Sequence, residues 1–534
     1  MDSTDGDALM ETEFLIIGSG PAGVSAAWPL LQAGRTVTMI DGGTTAMPDA
    51  PKFDDFLQWT QSPDRWRHML GTDLGGLTAD SRYSPKFATP LGRAVMEGSA
   101  QTEPSIDAHN AIVSRASAIG GLSTIWGAFC TAFDDSDMQG FPIGTRDLSE
   151  GYRAVAERIG ITGQKDDLNE FHGSDYPLLA PPSLDGPAAS LLDGYGQKQK
   201  SDDFRLGLAR NAVLTEARSK RHGCVQCGLC LYGCAHKSIY NSADEIDALK
   251  QFQHFHYSPQ TIVKKILPLQ DGKPRVEVIA QKQTFTLTAR KILLAAGTIN
   301  STALVLDFLQ MTDVPVPVLH NPVAGMAFLL PRHIGRAYPQ HNFGLGRLSY
   351  RLSLDKSDYA TGVVYAADTL PLHLFAERMP FSRPTSLQLS AMLAPAMLMS
   401  NCYVNSSYSN MILALTSRDG RPKLTIKGET KMETSAALTT AGKKLASAMR
   451  HYGAFRVPGS FTITPPGSDA HLAGTMPMGS PSRLGCNTMG ELNAAPGIHV
   501  IDGSWLPRLP PKHCTFTIMA NATRVAKTLG TPVS

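Results

Sequence analysis

Apolar and polar positions change rhythm several times along the chain, and the order of those changes predicts its architecture. Phe14 to Ile17 is a short unbroken apolar run, the pattern of a buried strand. The turn Gly18-Ser19-Gly20-Pro21-Ala22-Gly23 follows, then a helical stretch, VSAAWPLLQAG, that stops at Gly34. TVTMID is a second apolar strand ending on Asp41. Pro29 lies inside the helix and is expected to kink it. Residues 45–110 are rich in Pro, Asp, Gly and Ser without a sustained period, and read as an excursion over the surface. SRASAIGGLSTIWGAF is dominated by small residues, DLSEGYRAVAERIGI has a helical period, and a loop-rich region runs to about residue 205.

Further on, SADEIDALKQFQ is helix-like, and QTIVKKILPL, RVEVIA and TFTLTA alternate as strands, with Asp271-Gly272 as a hairpin turn. KILLAAGTINSTALVL reads as strand, glycine turn and helix. Residues 311–464 carry many prolines, aromatics and methionines in short β-like runs, and GIHVIDGSWLPRLPPKHCTFTIMANATRVAKTLG closes the chain as strand, loop and helix. The expectation is an α/β protein. A dinucleotide-binding domain spans 1–310, with excursions at about 45–110 and 160–205 and a cysteine cluster at 224–234; a substrate domain spans 311–464, and 465–534 return to the first domain.

Composition narrows the class. At 534 residues the chain exceeds one ordinary core, which supports the division into domains. A formal net charge of +2 gives no field that would attract nucleic acid or an anionic membrane. The acidic N-terminus, MDSTDGDALMETE, lacks the pattern of a secretory signal. The longest apolar stretch, Ser386 to Val404, is interrupted by Pro395 and Asn401, so no transmembrane segment is expected. Four of eight cysteines fall together (Cys224, Cys227, Cys230, Cys234), while Cys130, Cys402, Cys486 and Cys514 are scattered. That distribution suits a reducing, cytoplasmic compartment.

The first glycines have a physical task. Gly18 allows the tight turn, Gly20 lets the backbone approach a pyrophosphate, and Gly23 lets helix and sheet pack closely, with the helix N-terminus facing the phosphates. Asp41 stands about 20 residues on, where an acid reaches ribose hydroxyls. This segment does not separate FAD from NAD.

The remaining motifs do. Together with GSGPAG, the sequence Gly120-Gly121-Leu122-Ser123 with Trp126-Gly127, LLAAGTINSTALVL, His471-Leu472-Ala473-Gly474-Thr475-Met476-Pro477-Met478-Gly479, and Val500-Ile501-Asp502-Gly503 followed by His513-Cys514-Thr515-Phe516-Thr517 resemble the glucose–methanol–choline (GMC) oxidoreductases. The resemblance implies a two-domain flavoprotein with a Rossmann-like FAD-binding domain and an α+β substrate domain containing an antiparallel sheet. It implies that Gly18, Gly20, Pro21, Ala22, Gly23, Asp41, Gly121, Ser123, Trp126, Gly127, Val263, Ala296, Asp502, Gly503, Cys514 and Thr515 bind FAD. It places His471 and His513 on the substrate side of the flavin, His471 as base and His513 bonded to the same oxygen, with the roles open to exchange. Histidine suits that task because its pKa lies near operating pH. A helix starting near Cys514 would turn its positive end to the flavin edge that becomes negative on reduction. The implied activity is oxidation of a CH–OH group to a carbonyl, as dehydrogenase or oxidase.

C-V-Q-C-G-L-C-L-Y-G-C has the spacing of bacterial iron–sulfur ligands but lacks the proline after the last cysteine, where Ala235 stands. Iron–sulfur ligation, structural thiols, zinc and a disulfide all remain open. A cluster would pass single electrons to an acceptor protein or a quinone. The neighbouring RSKRH (Arg218 to His222) reads as a solvated loop or a docking patch for such a partner, and Met392, Met397 and Met399 as core or a channel lining. Gln340, His341, Asn342, Asn405 and Ser406 favour a carbohydrate or polyol substrate. Two rival readings are a binding protein without turnover and a redox-neutral flavoprotein of lyase or isomerase type, with structural cysteines in the latter.

Overall fold

The apolar strands expected at the two ends of the chain lie side by side in one sheet. In the computed structural model, which describes residues 10–43, 47–77, 84–100, 104–173, 175–339, 341–355, 358–370, 372–377, 379–418 and 421–531, five strands of this sheet run parallel. Their order is Ala495–Val500, Gln283–Leu294, Met10–Ile17, Val37–Asp41 and Phe255–Pro259, with Glu491–Leu492 antiparallel at one edge. Leu15 and Ile16 are wholly buried on opposite faces, as are Ile292 and Leu293, which is why these strands read as continuous apolar runs rather than alternating ones. Helices Pro21–Gln32 and Thr515–Gly530 cover one face together. The hairpin Thr261–Gln270 and Lys273–Ala280 adds to Gln283–Leu294. It turns at Asp271 and Gly272, whose φ values of 50° and 73° are those of a two-residue hairpin turn.

Pro29 does not end its helix. It stands in the last turn, where the amide it lacks would have bonded to the Ser25 carbonyl; the Thr523 hydroxyl of the C-terminal helix donates to that carbonyl instead, at 3.3 Å.

The second layer is an antiparallel sheet in the order Phe455–Arg456, Val323–Leu329, Met397–Tyr403, Tyr359–Ala366, Leu348–Ser353 and Phe204–Leu208, with Thr462–Ile463 alongside Val323–Leu329. Alternate residues on one face (Met326, Phe328, Leu398, Val364, Tyr350) pack against helices Gly186–Gln197 and Met432–His451. The other face is left for the site. Helix Gly186–Gln197 and strand Phe204–Leu208 thus build this layer, although the sequence reading placed 160–205 as an excursion of the first domain. Ala188, Leu191 and Tyr195 are the helical stripe that inserts. A smaller sheet joins Ser105–His109, Arg421–Gly428, Met411–Arg418 and Val316–Pro317. Among the described residues no helix is long and apolar enough to cross a membrane.

Candidate active site

The glycine turn opens at the carboxyl end of the parallel sheet, where ligands of such sheets bind. A Cβ on Gly23 would stand 2.0 Å from the Gly18 carbonyl oxygen, and one on Gly18 (φ 106°) would stand 2.4 Å from that of Ala295, beside Ala296. Both glycines are therefore required by packing. Gly20 differs: a Cβ there would meet nothing within 4 Å. Pro21 and Ala22 begin the helix, with Pro21 in the first turn where its missing amide costs nothing.

A second glycine segment closes over this turn. Gly121 approaches until its Cβ would lie 3.5 Å from the Gly20 Cα, and the Gly120 amide donates to Ser19 Oγ at 2.9 Å. Ser123 and Ser242 share a hydroxyl contact of 3.0 Å, and Ser242 Oγ donates to the Ser19 carbonyl at 2.9 Å. Trp126 is fixed by its indole N–H on the Tyr240 carbonyl at 2.7 Å, and Gly127 faces open space. Asp41 is buried and its carboxylate accepts from the Ser19 amide at 2.6 Å, from the Ser19 hydroxyl and from the Gly43 amide at 2.5 Å. Burial raises its pKa against those three bonds. Val263, half-buried, lies on the adjoining hairpin strand.

The two C-terminal motifs run side by side. The amides of Gly474, Met476 and Met478 donate to the carbonyls of Gly503, Ser504 and Trp505 at 3.1, 2.9 and 2.9 Å. Asp502 is buried and accepts from the Ser301 and Ser504 hydroxyls, which ties this loop to helix Thr298–Phe308. A Cβ on Gly503 would sit 3.0 Å from the Leu472 carbonyl oxygen, so the aspartate–glycine pair abuts the residue after His471. Helix Thr515–Gly530 starts after Cys514 with no side-chain cap, leaving its first amides free at the site.

His471 and His513 meet here, ring centroids 4.7 Å apart and planes at 72°. Tyr403 packs on both, at 5.6 and 5.2 Å, and Phe129 on His513 at 4.7 Å. Asn321 holds His471 in one tautomer. Its amide nitrogen donates to the Val404 and Pro510 carbonyls at 3.1 and 2.9 Å, which leaves Oδ1 facing His471 Nδ1 at 3.1 Å. Nδ1 must then carry the proton, and Nε2 is the free base. Burial pushes the His471 pKa down; Asp469 opposes this and His320 adds to it. His513, partly accessible but surrounded by protein, is pushed well down by burial and by His471, and its Nδ1 is buried without a partner among the described residues. Beside it, the ammonium of Lys512 bonds Asp134 at 2.9 Å, Asp137 and the Phe171 carbonyl, fixing the approach to His513.

Asn321, His320, Asp469 and Tyr403 went unmarked in the sequence reading. The backbone bridge between Leu319 and Ala473 sets the first two beside His471, and Asp469 precedes it by two residues. The polar candidates of the substrate domain are committed elsewhere. Asn342 accepts from Arg347, Asn405 caps the 406–408 turn, the Ser406 hydroxyl accepts from the Leu509 amide, His341 is exposed, and Gln340 lies outside the described residues. Met397 and Met399 lie on a sheet strand and Met392 on a helix surface. Arg221 is bonded to three backbone carbonyls, while Lys220 is exposed. The fold brings Cys230 within electrostatic range of Cys224, Cys227 and Cys234, with Lys86 beside Cys230 and Cys234. Burial raises the thiols of Cys224, Cys227 and Cys230. All eight cysteines are free, and among the described residues no three His, Cys, Asp or Glu side chains are grouped to hold a metal ion.

A glycine-lined cradle on a parallel sheet, facing a histidine pair under an antiparallel sheet, has the layout of an α/β dinucleotide-binding fold. Residues 409–522 match the family model described as GMC oxidoreductase. The chain is 24% identical to paromamine 6'-oxidase of Streptomyces fradiae, over 98% of this chain and 92% of that protein. The crystal structure of pyridoxine 4-oxidase from Mesorbium loti superposes with a TM-score of 0.60 at 14% identity, covering 97% of this chain and 99% of that one. Over its C-terminal segment the chain is thus similar to the GMC oxidoreductases, a likeness that implies FAD as cofactor. The residues present fit that group: Gly20 and Gly127 leave open the space a backbone-hugging ligand needs, and His513 Nδ1 lacks a partner among the described residues.

Proposed function

We propose that this protein oxidises a CH–OH group to a carbonyl, with His471 as the base for the hydroxyl proton and His513 bonded to the same oxygen. One observation carries the reading: Asn321, locked by two backbone carbonyls, fixes the proton of His471 on Nδ1 and leaves Nε2 free beside His513. In this account Gly18, Gly20, Pro21, Ala22, Gly23, Asp41, Gly121, Ser123, Trp126, Gly127, Val263 and Ala296 hold FAD, with Asp502, Gly503, Cys514 and Thr515 at its flavin end. The bound flavin supplies the hydride acceptor. The neutral state of both histidines follows from their burial. Tyr403 and Phe129 orient the substrate body and exclude water, and the free amides of helix Thr515–Gly530 favour negative charge in front of them.

The rings that flank the histidines are aromatic, Phe129 on His513 and Tyr403 on both. We therefore read the substrate as a small alcohol with a flat apolar face, carbohydrate rings included. The names of the two relatives, oxidases of paromamine and pyridoxine, accord with a small-molecule substrate. The test is anaerobic mixing of the flavin-loaded enzyme with a panel of alcohols. His471→Gln should keep its flavin and lose about 10²–10⁴-fold in the rate of flavin reduction. An unchanged rate overturns the assignment.

A second reading adds an electron exit through an iron–sulfur cluster on Cys224, Cys227, Cys230 and Cys234, favoured by their spacing along the chain. Stoichiometric iron and acid-labile sulfide in anaerobically purified protein would support it. Their absence assigns the thiols to structure and makes oxygen the first oxidant to test.

A further inference from the structure

Behind His471, away from His513, lies a second imidazole on the same carboxylate. Asp469 is fully buried; its Oδ2 accepts the Asn321 amide at 2.8 Å and lies 3.5 Å from His471 Nδ1. Its Oδ1 lies 3.5 Å from Nδ1 of His320 and makes no closer bond. His320 is 3% exposed, and its Nδ1 also receives the Gly467 amide at 3.4 Å. The two contacts require different states of the ring. Nδ1 must be bare to accept from Gly467 and protonated to donate to Asp469. Ala470, between Asp469 and His471, holds φ at 60°, a left-handed conformation that costs a non-glycine residue about 1 kcal/mol or more.

His320 Nε2 is buried without a protein partner among the described residues. The ring lines a cavity of about 10 Å³, room for about one water. Glu429 and Thr430, both exposed, stand on its wall with Tyr408, Thr434 and Pro466. The ring of His320 therefore faces this small cavity.

We propose that Asp469 and His320 are positioning residues for His471, and that His320 draws the charge of Asp469 away from His471 when it is protonated and releases it when it is neutral. This rests on His471 acting as the base. Neutral His320 leaves the carboxylate free to stabilise the imidazolium that forms as His471 takes the hydroxyl proton. Charged His320 competes for the same carboxylate and weakens the base. The titratable groups facing this chain are Tyr403 and Cys514 toward Asp469, His513 toward His471, and Tyr408 and Glu429 at the cavity. Burial alone would raise the pKa of Asp469, but His320, His471 and the Asn321 amide hold it below the ordinary carboxylate range, so it stays anionic between the two rings.

The test compares His320→Gln and Asp469→Asn in the flavin-loaded enzyme. Two readouts are used: the pH profile of kcat, and the resting-state titration of His471 followed by NMR with nitrogen-labelled histidine. Removing His320 removes a positive competitor, so the acid limb and the His471 titration should move to higher pH. Removing the charge of Asp469 should move both to lower pH, by about one unit or more for a charge this close. It should also lower kcat about tenfold through the weaker base. Opposite shifts are not what general structural damage produces. Shifts in the same direction, or none, overturn the proposal. If the NMR shifts appear while His471→Gln turns over normally, the coupling stands and the base assignment falls.

Discussion

Gly20 and Gly23 sit three residues apart in one turn, yet substitution by alanine should separate cofactor binding from folding. At Gly20 the backbone angles, φ −64° and ψ 177°, are open to any residue, and a Cβ meets no protein atom within 4 Å. Gly20→Ala should therefore fold normally, and the FAD-free protein should gain up to about 0.5–1 kcal/mol from a less flexible unfolded chain. The new methyl group occupies the space assigned to the pyrophosphate. Losing one hydrogen bond to a charged group costs about 1.5–3 kcal/mol, so FAD affinity should fall roughly 10- to 100-fold. At Gly23 the Cβ would stand 2.0 Å from the Gly18 carbonyl oxygen and 3.2 Å from Ile16. Helix and strand must then move apart, at about 1–3 kcal/mol for overpacking, so Gly23→Ala should lose stability and cofactor together. Thermal unfolding of the FAD-free proteins and fluorescence titration with FAD give both quantities. Full FAD affinity in a well-folded Gly20→Ala protein would refute the assignment of the cradle.

Three other perturbations have defined outcomes. Lys512→Met leaves Asp134 and Asp137 without their buried cation and should cost about 3–5 kcal/mol, read by denaturant unfolding. Asn321→Leu keeps the volume but frees Nδ1 of His471 and leaves the Val404 carbonyl unpaired; loss of a bond worth about 1.4 kcal/mol should lower kcat about tenfold while flavin content holds. Burial depresses the folded-state pKa of His172, His471, His499 and His513 below 6.5, so below that pH the unfolded chain binds more protons than the folded one. Stability should hold above pH 6.5 and fall as pH drops through the depressed values; a thermal midpoint that rises on acidification over that range would contradict this.

Much of the site was legible because its chemistry is local in sequence. The turn at Gly18–Gly23 and the segment carrying His513 each declare a strand, a loop and a helix start within about 20 residues, and His471 opens a compact glycine- and methionine-bearing motif. What surrounds His471 was not, because its partners come from 150 residues away: only the antiparallel bridge of Leu319 with Ala473 brings His320 and Asn321 alongside. Asp469, two residues before His471, gave a visible D-x-H spacing, but its meaning depends on the left-handed turn at Ala470. Helix Gly186–Gln197 shows a readable stripe at Ala188, Leu191 and Tyr195, yet nothing local says which sheet it covers. Pro29 is tolerated because a hydroxyl from residue 523 takes up the carbonyl it frees.

The most direct measurement is the absorbance spectrum of the purified protein, recorded anaerobically before and after addition of alcohols with flat apolar bodies. The account predicts flavin bands that bleach on addition of a substrate alcohol, with a carbonyl product formed in equal amount and bleaching lost in His471→Gln. A protein that takes up no flavin after reconstitution with FAD, or whose flavin no alcohol reduces, would contradict it.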